Sequence, residues 1–291
     1  RPTLKIQDGC DARCAFCIIP EVRGASRSLV PEKVIEQVRQ LVRDGYKEIV
    51  LSGINLGTYG KDLERRITFL GMLERILAET SIARLRISSI EPMDVSPELI
   101  RLVASEPRMA RHFHVPLQSG CDRILRQMNR RYWAAHYAER IHTIREQIPN
   151  CGIGADVMVG FPGETTEDHQ ASLRFVDSLP FTYLHVFPYS SRPGTAAAAR
   201  NGHLNGRIIH ERGQEMRALI ATKRQAFLES QVGRTLSALT LDEVQDGARV
   251  ALSSNYVKLV LPGCDVPANT FVEGRVGRIH EGLVYAYSES R

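Results

Sequence analysis

The 291-residue chain is 43% hydrophobic and 24% charged, long enough to bury a large core and to divide into one large and one small domain, which excludes a disordered polypeptide. Six cysteines over this length do not make a disulfide framework, and neither a run of about 18 apolar residues nor a basic-then-apolar leader is present, so a cytoplasmic, reducing location away from membranes is expected. A net charge of +5 is too small to imply a nucleic-acid partner by itself.

In chain order, the apolar run Leu4 to Ile6 predicts a first strand, already formed when the chain opens at Arg1 rather than at a methionine. A longer parent protein is therefore expected. Directly after that strand come Cys10, Cys14 and Cys17, reading Cys-Asp-Ala-Arg-Cys-Ala-Phe-Cys. Three thiolates at this spacing suit three corners of an iron-sulfur cube, leaving the fourth iron open to another ligand. Closed zinc sites take four protein ligands, yet no further cysteine precedes Cys121 and no histidine precedes His112. A redox pair of Cys14 and Cys17 leaves Cys10 without a role.

Helical periodicity follows from Pro31 to Gly45, then a strand at Ile49 to Leu51, a helix at Phe69 to Ala78 and a strand at Leu85 to Ile90. A helix at Pro97 to Ala104, capped by Ser96, leads to a strand at Phe113 to Leu117. Helices at Ala134 to Ile148 and Glu167 to Leu179 bracket a strand at Ile153 to Phe161; a strand at Tyr183 to Phe187 and a helix from about Ile208 to Ser230 complete the set. Strands alternating with helices require right-handed crossovers, which predicts an α/β fold with a partial parallel (βα)6 barrel over residues 1–230. Sites in such folds lie on loops after the carboxyl ends of strands, where the cysteines fall.

Arg123, Arg126, Arg130 and Arg131 cluster before the fourth helix of this set, as do Arg207, Arg212, Arg217, Lys223 and Arg224 on the last. They suit either a phosphate backbone or a solvated helix face, and composition favours the latter. Trp133 offers a stacking surface, though packing at a helix start is the expected role. His112 and His114 read as core or edge groups, and Cys121, Cys151 and Cys264 as small buried hydrophobes. Gly152-Ile153-Gly154 lacks the full turn of a dinucleotide fingerprint. Over residues 231–291, short strands separated by Asp246-Gly247, Pro262-Gly263 and Glu281-Gly282 predict a small antiparallel β-barrel. Six basic against seven acidic residues from Val232 onward mean that any RNA contact there rests on placed groups such as Tyr256, Lys258 and Arg275.

The cysteine motif, with Phe16 before its last cysteine, resembles the CxxxCxφC signature of radical S-adenosylmethionine enzymes. Ile6 to Cys10, Cys17 to Pro20, Arg23-Gly24, His114 to Gly120, Gly160 to Thr165 and Phe187 to Thr195 resemble the methylthiotransferases among them, and the last sixty residues resemble an RNA-binding TRAM domain. Arg23 to Ser28, Val50 to Gly60 and Arg86 to Pro92 are most similar to the branch acting on N6-threonylcarbamoyladenosine in tRNA, ahead of the isopentenyladenosine and ribosomal-protein aspartate branches. Leu29-Val30 and Cys121 depart from the usual pattern.

The resemblance implies a [4Fe-4S] cluster on Cys10, Cys14 and Cys17, whose open iron is chelated by S-adenosylmethionine; reductive cleavage then gives a radical that removes hydrogen from adenine carbon 2. It implies cofactor contacts at Phe16, Gly53 and Asn55, with Ser88, Glu91 and Gln118 toward the ribose or the amine, and Asp156 and Val157 toward the adenine. Expected partners are the tRNA anticodon arm, through Arg23, Arg27, Arg131 and Lys258, and a reductant protein such as flavodoxin or ferredoxin. A second [4Fe-4S] cluster is expected only in an amino-terminal domain outside this chain, so sulfur insertion by this chain alone is not expected. An RNA-binding module with a structural metal is the alternative from another class.

Overall fold

A computed structural model describes residues 1–288. Its large unit runs β1 (Thr3–Asp8), α1 (Ile19–Arg23), β2 (Arg27–Ser28), α2 (Pro31–Arg43), β3 (Glu48–Gly53), α3 (Phe69–Glu79), β4 (Arg84–Ile87), α4 (Pro97–Ser105) and β5 (His112–His114). It continues with α5 (Asp122–Gln127), α6 (Ala134–Gln147), β6 (Gly152–Val159), α7 (Thr166–Ser178), β7 (Tyr183–Pro188) and α8 (Gly206–Glu229). Local chemistry sets the helix boundaries. Pro31 opens α2, the Thr68 and Ser96 side chains accept from backbone amides of α3 and α4, and Thr165 with Asp168 forms a reciprocal capping box on α7.

β1, β3 and β4 pair in parallel, as do β5, β6 and β7. The expected continuous curved sheet is thus present as two segments, joined between Leu85 and Met109 by one isolated bridge. A further strand not anticipated, β2, runs antiparallel to β1 at the edge. One apolar core, built from residues such as Ile6, Ile49, Leu51, Leu85, Phe113 and Ile153, lies between these strands and the flanking helices.

The small barrel comprises β8 (Thr235–Gln245), β9 (Ala248–Ser253), β10 (Lys258–Leu261), β11 (Phe271–His280) and β12 (Leu283–Ser288). It closes in the order β10-β12-β11-β8-β9 around its own core of Ala251, Leu259, Val276 and Val284. Four of its pairings are antiparallel, but closure comes from a parallel β10–β12 pair, so the barrel is not purely antiparallel.

The small barrel seats against the amino-terminal ends of the large unit's strands. Arg84 donates to the Ser237 carbonyl at 3.1 Å, Arg86 to the Ser253 and Ser254 carbonyls at 3.0 and 3.1 Å, and the Lys47 amide to Asn269 Oδ1 at 3.2 Å. Both guanidiniums are buried with Glu48, whose carboxylate lies 2.9 Å from Arg86 Nε and 3.5 Å from Arg84 Nη1. Gly152 and Gly154 are close-approach positions: a Cβ at Gly152 would meet the Asn255 carbonyl at 2.3 Å and one at Gly154 the Tyr183 ring at 2.0 Å. Among the described residues no helix is long and apolar enough to cross a membrane.

Candidate active site

The cysteines lie on the loop leaving β1, at the end of the sheet opposite the small barrel. Gly9 lets the loop turn: its φ is +69° and a Cβ there would sit 2.0 Å from the Ala25 carbonyl oxygen. Cys10 N donates to Gly24 O at 3.1 Å, Cys17 N to Cys14 O at 3.1 Å, and Ala15 N to Met128 O at 2.9 Å. Burial, together with repulsion from the neighbouring Cys14 and Cys10 thiols, holds the Cys17 thiol above its ordinary value. A bound cation would draw that proton off. Cys121, Cys151 and Cys264 lie elsewhere: Cys121 on Asp168, Cys151 in the large core and Cys264 against the small one.

Two residues that sequence reasoning passed over hold this loop. Gln7, 1% exposed, donates from Nε2 to Gly9 O at 2.8 Å and Ser26 Oγ at 2.9 Å, while its Oε1 accepts from Asn55 N at 2.7 Å. It ties the cysteine loop to the segment after β3. Gln7→Ala deletes the amide and leaves the Gly9 carbonyl and the Asn55 N–H without these bonds; it is expected to cost about 1–3 kcal/mol in chemical denaturation while weakening S-adenosylmethionine binding in equilibrium dialysis.

The second is Arg130, grouped by sequence with surface arginines. Its side chain is 5% exposed; Nη1 donates to Cys14 Sγ at 3.2 Å, Nε to Tyr132 Oη at 3.2 Å, and Nη2 pairs with Glu91. Tyr132 in turn donates to Leu117 O at 2.7 Å. Burial pushes the Glu91 carboxyl above its ordinary value even beside Arg130. Arg130→Met leaves that carboxyl unpaired and removes the donor to Cys14 Sγ. The expected outcome is a loss of about 2–3 kcal/mol in stability and, if the thiols hold an iron-sulfur cluster, a reduction potential moved to more negative values, read by redox titration.

The other predicted positions fall at the same strand ends. Asn55 Oδ1, Ser88 Oγ and Gln118 Oε1 are buried with no hydrogen-bond partner among the described residues, as is the Tyr189 hydroxyl just after β7. Buried polar atoms are usually satisfied, and of nine such orphans among the described residues four follow β3, β4, β5 and β7, which suits a place prepared for a polar ligand. Gln118 also holds the left-handed region, φ 66°, pinned by its N–H to Asp156 O at 2.8 Å and by Met158 N to its own carbonyl at 2.9 Å. Gly53 packs against Leu56 and Gln7 with no room for a Cβ. Phe16 borders an apolar patch of Ala15, Met158, Phe161 and Tyr189 beside the thiols. This set of three thiols, orphaned oxygens and an apolar wall fits an iron-sulfur cluster with an amino-acid nucleoside.

Asp156 points away from the core, with Oδ1 3.1 Å from His114 Nε2 and 3.3 Å from His185 Nδ1. Burial pushes its carboxyl up, but the two histidines outweigh that and hold it below the ordinary range. Val157, on the alternate face of β6, is buried in the large core. His112 and His114 both reach the Tyr183 hydroxyl, at 2.7 and 3.0 Å, and line an open cleft of about 260 Å³ with Ser88, Arg86 and Tyr256. Tyr256 stacks on His112 at 4.4 Å, so its ring serves the seam between the two units.

Arg23 and Arg27 are exposed beside the cysteine loop, Arg23 lying 3.5 Å from Asp8 and Arg27 donating to the Arg23 carbonyl at 3.0 Å. Arg131 is exposed near Cys14's partner Arg130. Lys258 is at the opposite end, paired with Glu243 at 2.7 Å.

Residues 4–176, more than half of the chain, match the family model described as the radical SAM superfamily. The chain belongs to that superfamily. Solved radical SAM structures agree in fold: coproporphyrinogen III oxidase (HemN) from Escherichia coli superposes with a TM-score of 0.56 at 14% identity, over 94% of this chain and 66% of that one. The radical S-adenosylmethionine methyltransferase TsrM from Kitasatospora setae gives 0.56 at 17% identity over 68% and 38%. In sequence, the chain is 40% identical to the threonylcarbamoyladenosine tRNA methylthiotransferase MtaB of Aquifex aeolicus, over 90% of this chain and 62% of the relative. It is 39% identical to the tRNA-2-methylthio-N(6)-dimethylallyladenosine synthase of Desulforamulus reducens, over 83% and 53%. The radical SAM chain therefore spans roughly half to three-fifths of the length of these relatives.

Proposed function

We propose that this chain is the radical SAM portion of a tRNA methylthiotransferase acting at carbon 2 of N6-threonylcarbamoyladenosine next to the anticodon. The observation that carries it is the coincidence, at one end of the sheet, of three clustered thiols with four orphaned buried oxygens, in a chain 40% identical to a relative bearing that name. Cys10, Cys14 and Cys17 hold the [4Fe-4S] cluster; Asn55, Ser88, Gln118 and Tyr189 offer polar atoms to S-adenosylmethionine, and Phe16 an apolar wall. When bound, the cluster supplies the electron for reductive cleavage of the sulfonium, giving the strong hydrogen-abstracting agent that an unreactive aromatic C–H demands. Gln7 orients the loop, Arg130 places positive charge beside Cys14, and the apolar patch around Phe161 excludes water from the reacting centre.

The reading extends to a division at residues 230 and 231, with a TRAM-like RNA-binding unit following the barrel. It also includes a reductant protein of the flavodoxin or ferredoxin kind, and a second cluster in a further domain that supplies the sulfur. Identity of 39% to a dimethylallyladenosine enzyme favours that nucleoside as the second reading. Mass spectrometry of tRNA nucleosides from a strain lacking the gene separates them. Loss of the methylthio form of threonylcarbamoyladenosine, with its precursor accumulating, supports the first. Loss confined to the dimethylallyl series replaces it with the second.

A further inference from the structure

The only tryptophan of the chain, Trp133, stands where a tryptophan serves the fold poorly. It occupies the N-cap of α6, a position at which Ser, Thr, Asp or Asn would accept a hydrogen bond from the first turn, and it makes no side-chain cap. The helix start is served from outside instead, by Asp122 Oδ1 accepting from Ala134 N at 2.7 Å. Trp133 is 51% exposed, so a place in the core does not explain it either. The Arg126 guanidinium lies 5.1 Å from the ring centroid, and Arg126 and Arg131 are both exposed.

This patch adjoins the cysteine loop. Between Arg126 and Trp133 the chain donates from Asn129 Nδ2 to Arg13 O at 2.6 Å, accepts at Met128 O from Ala15 N at 2.9 Å, and donates from Arg130 to Cys14 Sγ at 3.2 Å. Arg13 is itself exposed on the same loop. An exposed aromatic face backed by a guanidinium, with further arginines around it, is the combination that stacks an unpaired nucleotide base while cations take its phosphates.

We propose that Trp133 stacks an unpaired base of the RNA substrate beside the cluster, with Arg126 backing the indole and Arg131 meeting the phosphate backbone. The inference rests on the tRNA reading above, and adds to it a place where the RNA is held. Stacking of this kind is indifferent to which adenosine derivative is modified, because every base has a π-face.

Because the chain has one tryptophan, its emission reports this site alone. The reconstituted chain is titrated anaerobically with an anticodon stem-loop RNA and, separately, with a blunt duplex RNA of equal length, following tryptophan fluorescence lifetime and, in parallel, binding by anisotropy of a dye on the RNA. The expected result is saturable quenching by the stem-loop and not by the duplex. Trp133→Ala should bind the stem-loop roughly 10-fold more weakly. Trp133→Thr should bind equally weakly while unfolding at the same or a higher Tm than the parent, because threonine restores the cap. Arg131→Ala should lower the slope of log affinity against log salt by about one. Stem-loop binding by anisotropy with unchanged tryptophan lifetime, or with unchanged affinity in both Trp133 variants, overturns the stacking site and assigns the indole to a protein contact, leaving the tRNA reading intact. No binding of the stem-loop at low salt overturns both.

Discussion

Cys14→Ala is expected to assemble no stable [4Fe-4S] cluster and to release no 5′-deoxyadenosine, and Cys10→Ala and Cys17→Ala should behave identically. Removing even an outer-shell partner of a metal ligand costs 10–100-fold in affinity or activity, so loss of one of only three ligands should exceed about 100-fold. Iron and acid-labile sulfide content after anaerobic reconstitution measures the first effect, and product release in the presence of reductant and S-adenosylmethionine the second. Cys151 and Cys264 are a built-in control: they lie in the large and small cores, so alanine there should leave iron content unchanged. A Cys14→Ala chain retaining the parent's iron would remove the loop from the account, and zinc held by the parent in place of iron would restore the structural-metal alternative.

Glu48→Ala should be the most destabilising single change away from the cysteines. Glu48 is fully buried and is the common counter-ion of Arg86 at 2.9 Å, Arg1 at 3.3 Å and Arg84 at 3.5 Å. Arg84 and Arg86 in turn donate to carbonyls of the small barrel. Truncating one partner of a buried ion pair strands the others, which costs about 3–5 kcal/mol. Chemical denaturation should show that loss, and limited proteolysis should show the small barrel released first. The pH dependence has a defined sign. Burial pushes the Glu48 carboxyl up, but Arg86 and Arg84 outweigh it and leave the folded value below the ordinary one. The contribution is therefore complete at neutral pH, begins to fade as pH falls through the ordinary carboxylate value, and is gone once pH has fallen through the lower folded value. The stability gap between the parent and Glu48→Gln should accordingly stay constant from pH 6 to 8 and close on strong acidification.

The parallel strands of the large unit were legible because each is a short β-branched run between helices with periodic apolar faces, and Pro31, Ser96 and Gly45 punctuate them. The elements that escaped detection border the site. α1 and α5, with five and six residues, are too short to show helical periodicity, and β2 has only two. The parallel closure of the small barrel was hidden as well, because which strands meet last depends on the whole barrel and not on any local pattern.

The three cysteines stand out directly in the sequence, since they share one short loop. Arg130 does not, because its neighbours in sequence are exposed arginines; only the fold turns its guanidinium inward to Cys14 and Glu91. Gln7 is silent in sequence, as the two contacts by which it ties loops together, to Ser26 and Asn55, come from segments distant along the chain. Tyr189 could have been found within the stretch Phe187 to Thr195, where an aromatic hydroxyl follows a strand end that faces the cysteines. Tyr256, a residue on which any RNA contact of the small barrel would rest, also stacks on His112 at the seam, a contact its residue type alone does not announce.

The most direct test of the central claim is anaerobic incubation of the reconstituted chain with dithionite and S-adenosylmethionine, following 5′-deoxyadenosine by mass spectrometry. 5′-Deoxyadenosine is expected to form, dependent on reductant and absent in Cys14→Ala. A chain that carries its full iron and sulfide, binds S-adenosylmethionine and still forms none would contradict the assignment of this site to radical chemistry.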